Sequence, residues 1–445
     1  MRVRFWGTRG SIATPGKSTV LYGGNTSCME VITDGGQRFI LDCGTGARPL
    51  GLELLKGPRP IHATILLGHT HWDHIQGFPF FMPVFEAGNE FLICAPAGVS
   101  GSLAHVLAGQ MEFTYFPVEL GQLPSKIEYR DLTEGTFDFG GVKVVTQFLN
   151  HPATTLAYRI EADGVIVVYM ADHEPFGRTL WKEEAEPGRI DSIVHEGDRR
   201  HAAFMKHADL LVHDAQYTPE EYPQKRNWGH SAFDYVVDLA SAADVRQLAL
   251  THHDPTHDDE ALEEIERRAQ ELAHSRNFGL HVFCAREGCE IAVTPPHSTR
   301  ERTLEVAAAA LEFPPHHRLV LVVDDDADLR ISAAAALLRE GFEVRQAADG
   351  EEGLRAVGTE HPDVVLINLN LPKIGGMEVL RRLRACEETS HLPVVVLTSR
   401  SDENSTREGF AAGATDFLAK PFTPPQLAAR VRAVLARTSA AANGK

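Results

Sequence analysis

The sequence predicts two α/β domains in one chain. Short apolar runs rich in β-branched residues alternate with helix-forming segments, which is the pattern of sheets covered by helices. A segment at 295–317 with prolines at both ends separates two regions that differ in the order of their predicted strands and helices. The 445 residues are enough for two or three domains, and 43% hydrophobic with 23% charged residues is the balance of a globular protein.

Residues 1–294 predict layered sheets with a few covering helices. Eight apolar runs are predicted strands, at 39–41, 62–67, 91–94, 142–148, 164–170, 209–212, 246–250 and 280–283. Three segments have helical character, at 101–109, 231–242 and 259–275.

Residues 318–437 predict a doubly wound parallel sheet, because five strand–helix units follow one another. The predicted strands are 318–323, 342–347, 363–367, 393–397 and 416–419. The predicted helices are 327–340, 350–358, 376–385, 403–412 and 423–436. Between the two regions, 295–317 is predicted to be a linker with a short helix, and 438–445 is a tail.

Charge and composition argue against several classes of protein and partner. The sequence contains no run of about 18 apolar residues, so no membrane span is predicted. The opening MRVRFWGTRGS lacks the apolar core of a signal peptide. The six Cys form no CxxC pair, so a reducing cytoplasm is the default expectation. Residues 1–316 carry 27 Lys and Arg against 43 Asp and Glu, a net charge of −16. Such a domain repels a phosphate backbone, so nucleic acid is a disfavoured partner.

The strongest chemical signal is a histidine cluster directly after the apolar run ATILLG. It contains His69, His71, Asp73 and His74 within six residues. On a regular strand these side chains would point to opposite faces, so a loop must turn them inward. Imidazole and carboxylate ligands suit zinc, iron or manganese. The six residues of the loop cannot all reach one tetrahedral ion, which favours two ions sharing the loop.

Further ligand-type residues follow other predicted strands, namely His151, Asp172, Asp214 and His252. Sites in layered α/β folds collect at the C-terminal ends of strands and in the loops that follow them. One such residue alone is usually a capping or solvated group. The whole set, together with the clustered loop, predicts a metal site.

These motifs resemble the metallo-β-lactamase superfamily. The resemblance rests on the H-x-H-x-D-H loop, the later lone His and Asp, and the final Thr251-His252. Asp42 in ILDCGTG resembles the structural Asp of that superfamily. The opening MRVRFWGTRGS, the stretch HTHWDHIQGFPFF and WGHS at 228–231 are closer to its phosphodiesterase branch, which includes tRNase Z. The resemblance implies an αββα sandwich over residues 1–294.

The resemblance also implies two metal sites joined by a bridging carboxylate. The first would be held by His69, His71 and His151, the second by Asp73, His74 and His252, with Asp172 between them. His253 is a rival for the last role, but His252 directly follows Thr251 as in the family motif.

The chemistry that follows is hydrolysis of a small phosphodiester, such as a cyclic nucleotide. Hydroxide held between two divalent ions, zinc foremost and manganese or iron as alternatives, would attack phosphorus. Asp73 would also orient the water, and His230 paired with Asp214 would protonate the leaving group. The alternative role of His230 is to cap the next helix, although Ser231 is the better cap.

Three alternative functions stay open. One is a tRNase Z-like endoribonuclease, another is a thioester or lactam hydrolase on the same fold, and the third is a non-enzymatic signalling scaffold. The aromatic segment 111–124 is either a lid or base-stacking wall, or a packing or dimer contact.

Residues 318–437 resemble a response-regulator receiver domain. Asp324 and Asp325 end the first strand like the acidic magnesium pair, Thr398 ends the fourth, and Lys420 follows the fifth. The phosphoacceptor position holds Asn368, whose neutral amide cannot form an acyl phosphate and weakens the magnesium pocket. We therefore expect an unphosphorylated pseudo-receiver that dimerises or docks a signalling partner.

Overall fold

The structure is a computed structural model. It describes residues 1–96, 102–182, 188–276, 279–295, 318–339, 342–386, 388–399, 412–420, 422, 427–428, 430–432 and 434–435. These residues form two compact units, one within 1–295 and one within 318–435. The predicted linker helix, the predicted helix at 403–412 and the tail lie outside the described residues, apart from single residues at their edges.

The first unit contains two seven-stranded sheets. In chain order its strands are β1 (Arg2–Gly7), β2 (Cys28–Ile32), β3 (Arg38–Leu41), β4 (His62–Leu66), β5 (Glu90–Pro96), β6 (Lys126–Leu132), β7 (Gly135–Phe139), β8 (Val142–Phe148), β9 (Leu156–Ala162), β10 (Val165–Met170), β11 (Leu210–Asp214), β12 (Gln247–Thr251), β13 (His281–Cys284) and β14 (Glu290–Ala292). The first sheet has the order β14-β1-β2-β3-β4-β5-β6, and the second has the order β13-β12-β11-β10-β9-β8-β7.

Each sheet combines parallel and antiparallel strands. In the first sheet β3, β4, β5 and β6 are parallel neighbours. In the second sheet β10, β11, β12 and β13 are parallel neighbours. The carboxyl ends of the parallel strands within a sheet therefore lie at one edge of that sheet, where loops can bring side chains together.

Helices cover the outer face of each sheet. The helices of this unit are α1 (Ala47–Leu54), α2 (Trp72–Ile75), α3 (Leu103–Gln110), α4 (Glu196–Met205), α5 (Phe233–Ala242) and α6 (Asp259–Arg276). Short 3-10 turns occur at Lys17–Thr19, Phe78–Phe80, Met82–Phe85, Leu120–Gln122, Ile190–Ser192 and Tyr222–Gln224. One core joins the first sheet to α1, α2 and α3, and another joins the second sheet to α4, α5 and α6.

The sequence explains these layers. Buried positions in α6 recur at helical spacing, at Leu262, Ile265, Ala269 and Ala273, so one face packs on the sheet. The strand β10 is apolar along its whole length because parallel strands in the middle of a sheet are covered on both faces. This is the αββα sandwich that the sequence predicts, and the prediction is confirmed.

Contacts between the sheets hold the sandwich together near the ends of the central strands. The hydroxyl of Tyr158 on β9 donates to the Leu67 carbonyl at 2.6 Å, directly after β4. The rings of Phe39 and Phe139 meet edge to face with centroids 6.1 Å apart. The loop after β4 is thus tied to the second sheet.

All eight predicted strands of this unit are present, but six others were not predicted. These are β1, β2, β6, β7, β9 and β14, whose sequences mix charged and apolar residues. The expectation that Ser231 caps a helix is wrong, because α5 begins at Phe233 and the Ser231 hydroxyl donates to the His173 carbonyl at 2.6 Å.

The second unit is a five-stranded parallel sheet with the order β16-β15-β17-β18-β19. Its elements are β15 (Leu319–Val323), α7 (Ala327–Arg339), β16 (Glu343–Ala347), α8 (Gly350–Glu360), β17 (Val364–Asn368), α9 (Gly376–Ala385), β18 (Val394–Ser399) and β19 (Asp416–Lys420). Cores lie on both faces of the sheet, which confirms the doubly wound fold. Among the described residues, no helix has the length and apolarity needed to traverse a membrane.

Candidate metal centre

The predicted ligand residues meet where strands of both sheets end. The four ligand-type residues from His69 to His74 lie in the loop and short helix that follow β4. Asp172 follows β10, and His252 follows β12. Asp214 is the last residue of β11, and His151 lies three residues beyond β8. The two sheets therefore contribute to one site.

Helix α2 explains how neighbouring residues of the loop can face the same space. His71 has extended backbone angles and precedes the helix, and a single helical turn then carries Asp73 and His74 inward, where both are buried. The same turn leaves Trp72 on the outside with 76% of its surface exposed. The predicted loop is thus a short extended segment followed by one helical turn.

Two groups of potential ligands share one carboxylate. Within each group the ligand atoms lie within 4.8 Å of one another. The groups are His69, His71, His151 and Asp172, and Asp73, His74, Asp172 and His252. His253 lies in neither group, since its Nε2 bonds the Ala285 carbonyl at 3.0 Å.

Hydrogen bonds on the outer side orient three of the imidazoles. Each uses Nδ1 toward a protein oxygen: His74 toward Asp42 Oδ2 at 2.7 Å, His151 toward the Gly229 carbonyl at 2.9 Å, and His252 toward Gln216 Oε1 at 3.0 Å. Such partners fix the ring and its tautomer, and they leave Nε2 turned toward the group.

Several buried polar atoms of the two groups have no hydrogen-bond partner. They are both ring nitrogens of His69, Nε2 of His74 and Oδ1 of Asp172. Buried polar atoms in folded proteins are normally satisfied. His74 Nε2 lies 3.2 Å from Asp172 Oδ1, and His69 Nε2 lies 3.5 Å from Asp172 Oδ2. A cation between His69 Nε2, His74 Nε2 and Asp172 would satisfy these three groups, and the nitrogen and oxygen donors suit a zinc-type ion. The residues therefore fit divalent metals.

The pKa shifts of the histidines show how burial and the nearby carboxylates act on the two groups. Burial lowers the pKa of His69 well below its ordinary value and that of His151 to about 4. Burial also opposes protonation of His252, but Asp172 and Asp73 outweigh it and raise its pKa to about 9. In His74 the same carboxylates and Asp42 outweigh burial and raise the pKa. The carboxylates of Asp73 and Asp172 thus favour positive charge in the site, which bound divalent ions would supply.

A cavity of about 550 Å³ opens onto the two groups. Its lining residues are Ser11, Thr70, His71, Trp72, Asp73, Asp172 and His230. The space is large enough for a small ligand to reach the ligand residues from solvent.

The pair Asp214 and His230 lies beside this cavity. His230 Nδ1 is 3.2 Å from Asp214 Oδ2, closer than its 3.9 Å separation from Asp172. Asp214 is fully buried and also accepts backbone N–H groups of His173, Gln216 and Ser231. These bonds fix the carboxylate that holds the His230 ring. Asp214, His230 and His252 also form a third close group.

Residues near the N-terminus complete the site and were not predicted. The backbone N–H of Ser11 donates to Asp73 Oδ2 at 2.7 Å, and Ser11 has a φ of 61°. Gly10 packs on the ring of His252 so closely that a Cβ there would lie 2.3 Å from Nδ1. In the sequence, the only indication that Gly10 and Ser11 belong to the site was the resemblance of the run MRVRFWGTRGS to the phosphodiesterase branch.

A second histidine layer lies behind the site. His173, His201 and His213 are fully buried. The rings of His173 and His201 stack with centroids 3.7 Å apart, and Nε2 of His201 lies 2.9 Å from Nε2 of His213. Burial lowers the pKa of all three. They are neutral supports for the loops that carry Asp172 and Asp214.

In the receiver pocket, the side-chain amide of Asn368 lies beside the carboxylates of Asp324 and Asp325. Asn368 Nδ2 donates to Asp325 Oδ1 at 2.9 Å and lies 3.4 Å from Asp324 Oδ1. Lys420 Nζ pairs with the other oxygen of Asp324. Thr398 belongs to β18, but its side chain lies outside the described residues. Donors of the protein itself therefore engage both acidic side chains.

Comparison with known families agrees with this geometry. Residues 37–253 match the beta-lactamase superfamily domain, and residues 320–432 match the response regulator receiver domain. The chain joins a beta-lactamase superfamily domain to a receiver domain. Both resemblances seen in the sequence are confirmed, and the first family consists mainly of hydrolases.

Individual relatives cover only parts of the chain. The transcriptional regulatory protein PrrA of Mycobacterium bovis is 42% identical over 123 residues, which are 28% of this chain and 52% of PrrA. The chain thus spans about half the length of this curated relative. The short form of human tRNase Z is 18% identical, covering 66% of this chain and 99% of that structure with a TM-score of 0.45. The metallo-beta-lactamase fold protein YhfI of Bacillus subtilis is 17% identical, covering 65% and 99% with a TM-score of 0.45.

Substituting Gly10→Ala tests the packing behind His252. The added methyl group would displace the ring, so we expect metal affinity to fall by about tenfold or more. Bound zinc or manganese, measured by elemental analysis after dialysis against graded free metal, reports the change. Gly16→Ala is the matched control, because its nearest neighbour would be 3.8 Å from the new Cβ. Equal metal binding by both variants would contradict the assignment of His252.

Proposed function

We propose that the first domain is a dinuclear metal-dependent phosphodiesterase that hydrolyses a small phosphodiester, such as a cyclic nucleotide. The observation that carries the proposal is the pair of ligand groups that share Asp172. Two adjacent divalent ions, zinc foremost, are the arrangement that acts on phosphate esters. The −16 charge of residues 1–316 supports a small substrate over a nucleic acid.

The proposed ligands divide between the ions as the two groups divide. His69, His71 and His151 would hold one ion, Asp73, His74 and His252 the other, and Asp172 would bridge them. When bound, the ions supply Lewis acidity and lower the pKa of a coordinated water. The hydrogen bonds to Asp42, Gly229 and Gln216 would keep the three imidazoles aligned during turnover.

Side chains of this domain would handle the protons. Water oxygen forms a bond to phosphorus, the bond from phosphorus to the leaving oxygen breaks, and that oxygen needs a proton. His230 lines the cavity and would donate this proton, while Asp214 holds its ring. Asp73 would orient the attacking water, and its own position is fixed by the Ser11 N–H.

The receiver domain is proposed to act without phosphorylation. Asn368 lacks the carboxylate that accepts a phosphoryl group, and its amide already engages Asp324 and Asp325. A neutral side chain at this position also leaves fewer oxygens for Mg²⁺. Its role would be dimerisation or contact with a signalling protein.

Metal reconstitution tests the proposed enzyme. With zinc or manganese, the full chain is expected to hydrolyse bis(p-nitrophenyl) phosphate and at least one member of a panel of cyclic mono- and dinucleotides. Saturating metal is expected to raise the free energy of unfolding by about 2 to 4 kcal/mol, since it binds only the folded state. His69→Ala is expected to abolish hydrolysis, whereas the exposed His281→Ala serves as the control.

Other outcomes would assign other functions. A folded protein that binds neither metal would overturn the proposal. Retained hydrolysis in His69→Ala, with only stability lost, would make the metal structural. Turnover of thioesters or lactams but not of diesters would favour another branch of the fold, and salt-dependent tRNA binding with cleavage would favour an endoribonuclease.

The leaving group separates the role of His230 from that of the metals. His230→Ala is expected to lower kcat by about 10² to 10⁴ for a cyclic nucleotide, whose alkoxide must be protonated. The loss should be far smaller for bis(p-nitrophenyl) phosphate, because p-nitrophenolate leaves without a proton. Steady-state kinetics at matched metal content measure both. An equal loss on both substrates, with loss of bound metal, would make His230 a ligand.

Asn368→Asp tests the receiver pocket. The wild-type chain incubated with acetyl phosphate and Mg²⁺ is expected to gain no mass, whereas the variant should gain one phosphoryl group per chain. The reason is that the new carboxylate restores both a nucleophile and a magnesium ligand. Intact-protein mass spectrometry measures it, with Asn370→Asp as the neighbouring control. A phosphoryl group on the wild-type chain would show that another acceptor exists.

A further inference from the structure

The four tryptophans fall into two classes. Trp6 and Trp181 are largely covered, and their indole N–H groups donate to Glu30 and Asp238. Trp72 and Trp228 are instead 76% and 59% exposed. A large aromatic side chain left in water contributes little to stability, so its presence at a functional rim points to a ligand.

Trp72 adjoins the candidate metal centre, whereas Trp228 is close in sequence to the cavity residue His230. Trp72 stands between the proposed ligands His71 and Asp73 and lines the 550 Å³ cavity. Its six fellow lining residues are all polar, so Trp72 supplies the one large apolar surface among them. Trp228 lies two residues before His230, in the loop that ends at Gly229.

The same imidazole connects the two tryptophan-bearing segments. His151 Nε2 lies 3.3 Å from His71 Nδ1, and His151 Nδ1 bonds the Gly229 carbonyl at 2.9 Å. Trp72 and Trp228 are the direct chain neighbours of these two contact residues. The backbone segments that carry the two tryptophans are therefore joined through His151.

The loop of Trp228 carries two adjacent basic residues. The ammonium of Lys225 lies 4.4 Å from the centre of the Trp228 ring, and the guanidinium of Arg226 lies 5.8 Å from that of Tyr222. They offset Glu220 and Glu221 of the same segment, so this loop is locally less acidic than residues 1–316, whose net charge is −16. A cation and an aromatic face together match a ligand that carries both a phosphate and a planar ring.

The loop is held rigidly enough to present these groups. Glu174 is buried, and its carboxylate accepts the N–H groups of Asn227 and Gly229 and the hydroxyl of Tyr222. Because the anchor lies at the base of the loop, the side chains of Lys225 and Trp228 remain at the surface.

We propose that Trp72 stacks on the nucleobase of a nucleoside phosphodiester and that Trp228 with Lys225 extends this recognition surface along the rim. The inference rests on the proposed phosphodiesterase function and specifies its substrate class. It assigns base recognition to the ligand loop itself rather than to the aromatic segment at 111–124.

Two diesters with one leaving group provide the test. Thymidine 5′-(4-nitrophenyl phosphate) carries a base, methyl 4-nitrophenyl phosphate does not, and both release 4-nitrophenolate. Trp72→Ala is expected to lower kcat/KM for the thymidine ester by about tenfold, mainly through KM, and to change the methyl ester by less than about twofold. Trp72→Phe keeps an aromatic face and should retain most of the preference. Lys225→Ala should raise KM for both esters.

A matched control separates this surface from the other exposed aromatics. Phe113 is 78% exposed but does not line the cavity, so Phe113→Ala should leave both esters unchanged. Equal effects of Trp72→Ala on the two esters, or a selective loss in Phe113→Ala instead, would overturn the proposal. A wild-type chain that binds metal but cleaves neither ester would contradict the phosphodiesterase function itself.

Discussion

The structure of the first domain depends on concentrating like charges in a buried space. Asp73 and Asp172 lie within a few ångströms of each other's imidazole partners and are shielded from water. Burying ionised carboxylates without opposite charge is costly. Protons on His74 and His252 offset part of this cost, and divalent ions between the same atoms would offset more of it. The orphaned ring nitrogens of His69 mark where protons do not suffice.

The centre also couples the folding of the two sheets. The loop after β4 brings His69 to His74, whereas His151, Asp172 and His252 follow strands of the second sheet. Neither sheet holds a complete ligand group, so the centre forms only when the sandwich is assembled. Metal bound there would stabilise the contact between the sheets as well as supply chemistry. The hydroxyl of Tyr158, bonded to the carbonyl before Gly68, adds a contact between the sheets that involves no proposed ligand.

The sequence predicted the candidate ligands more completely than the residues that support them. The six-residue loop is a local pattern of unusual residue types, and strand-end His and Asp residues follow apolar runs that are easily found. Gln216 and Ser11 act through one amide oxygen and one backbone N–H, and neither residue type is a signal in itself. Their positions depend on contacts across the fold. Strands such as β6, with KIEYRDL, were missed because charged residues alternate at the exposed positions.

Both domains bring acidic side chains close together, but the groups that face these carboxylates differ between the two domains. In the receiver pocket the acidic pair converges as in a magnesium site, but the amide of Asn368 and the ammonium of Lys420 supply the donors. Replacing one carboxylate by an amide removes a negative charge and adds a hydrogen-bond donor, so the pocket is satisfied without a cation. The metal centre keeps its carboxylates and leaves buried atoms without partners. Buried polar atoms are normally satisfied, so the partnerless atoms among the proposed ligands are the reason for placing the proposed catalysis in the first domain.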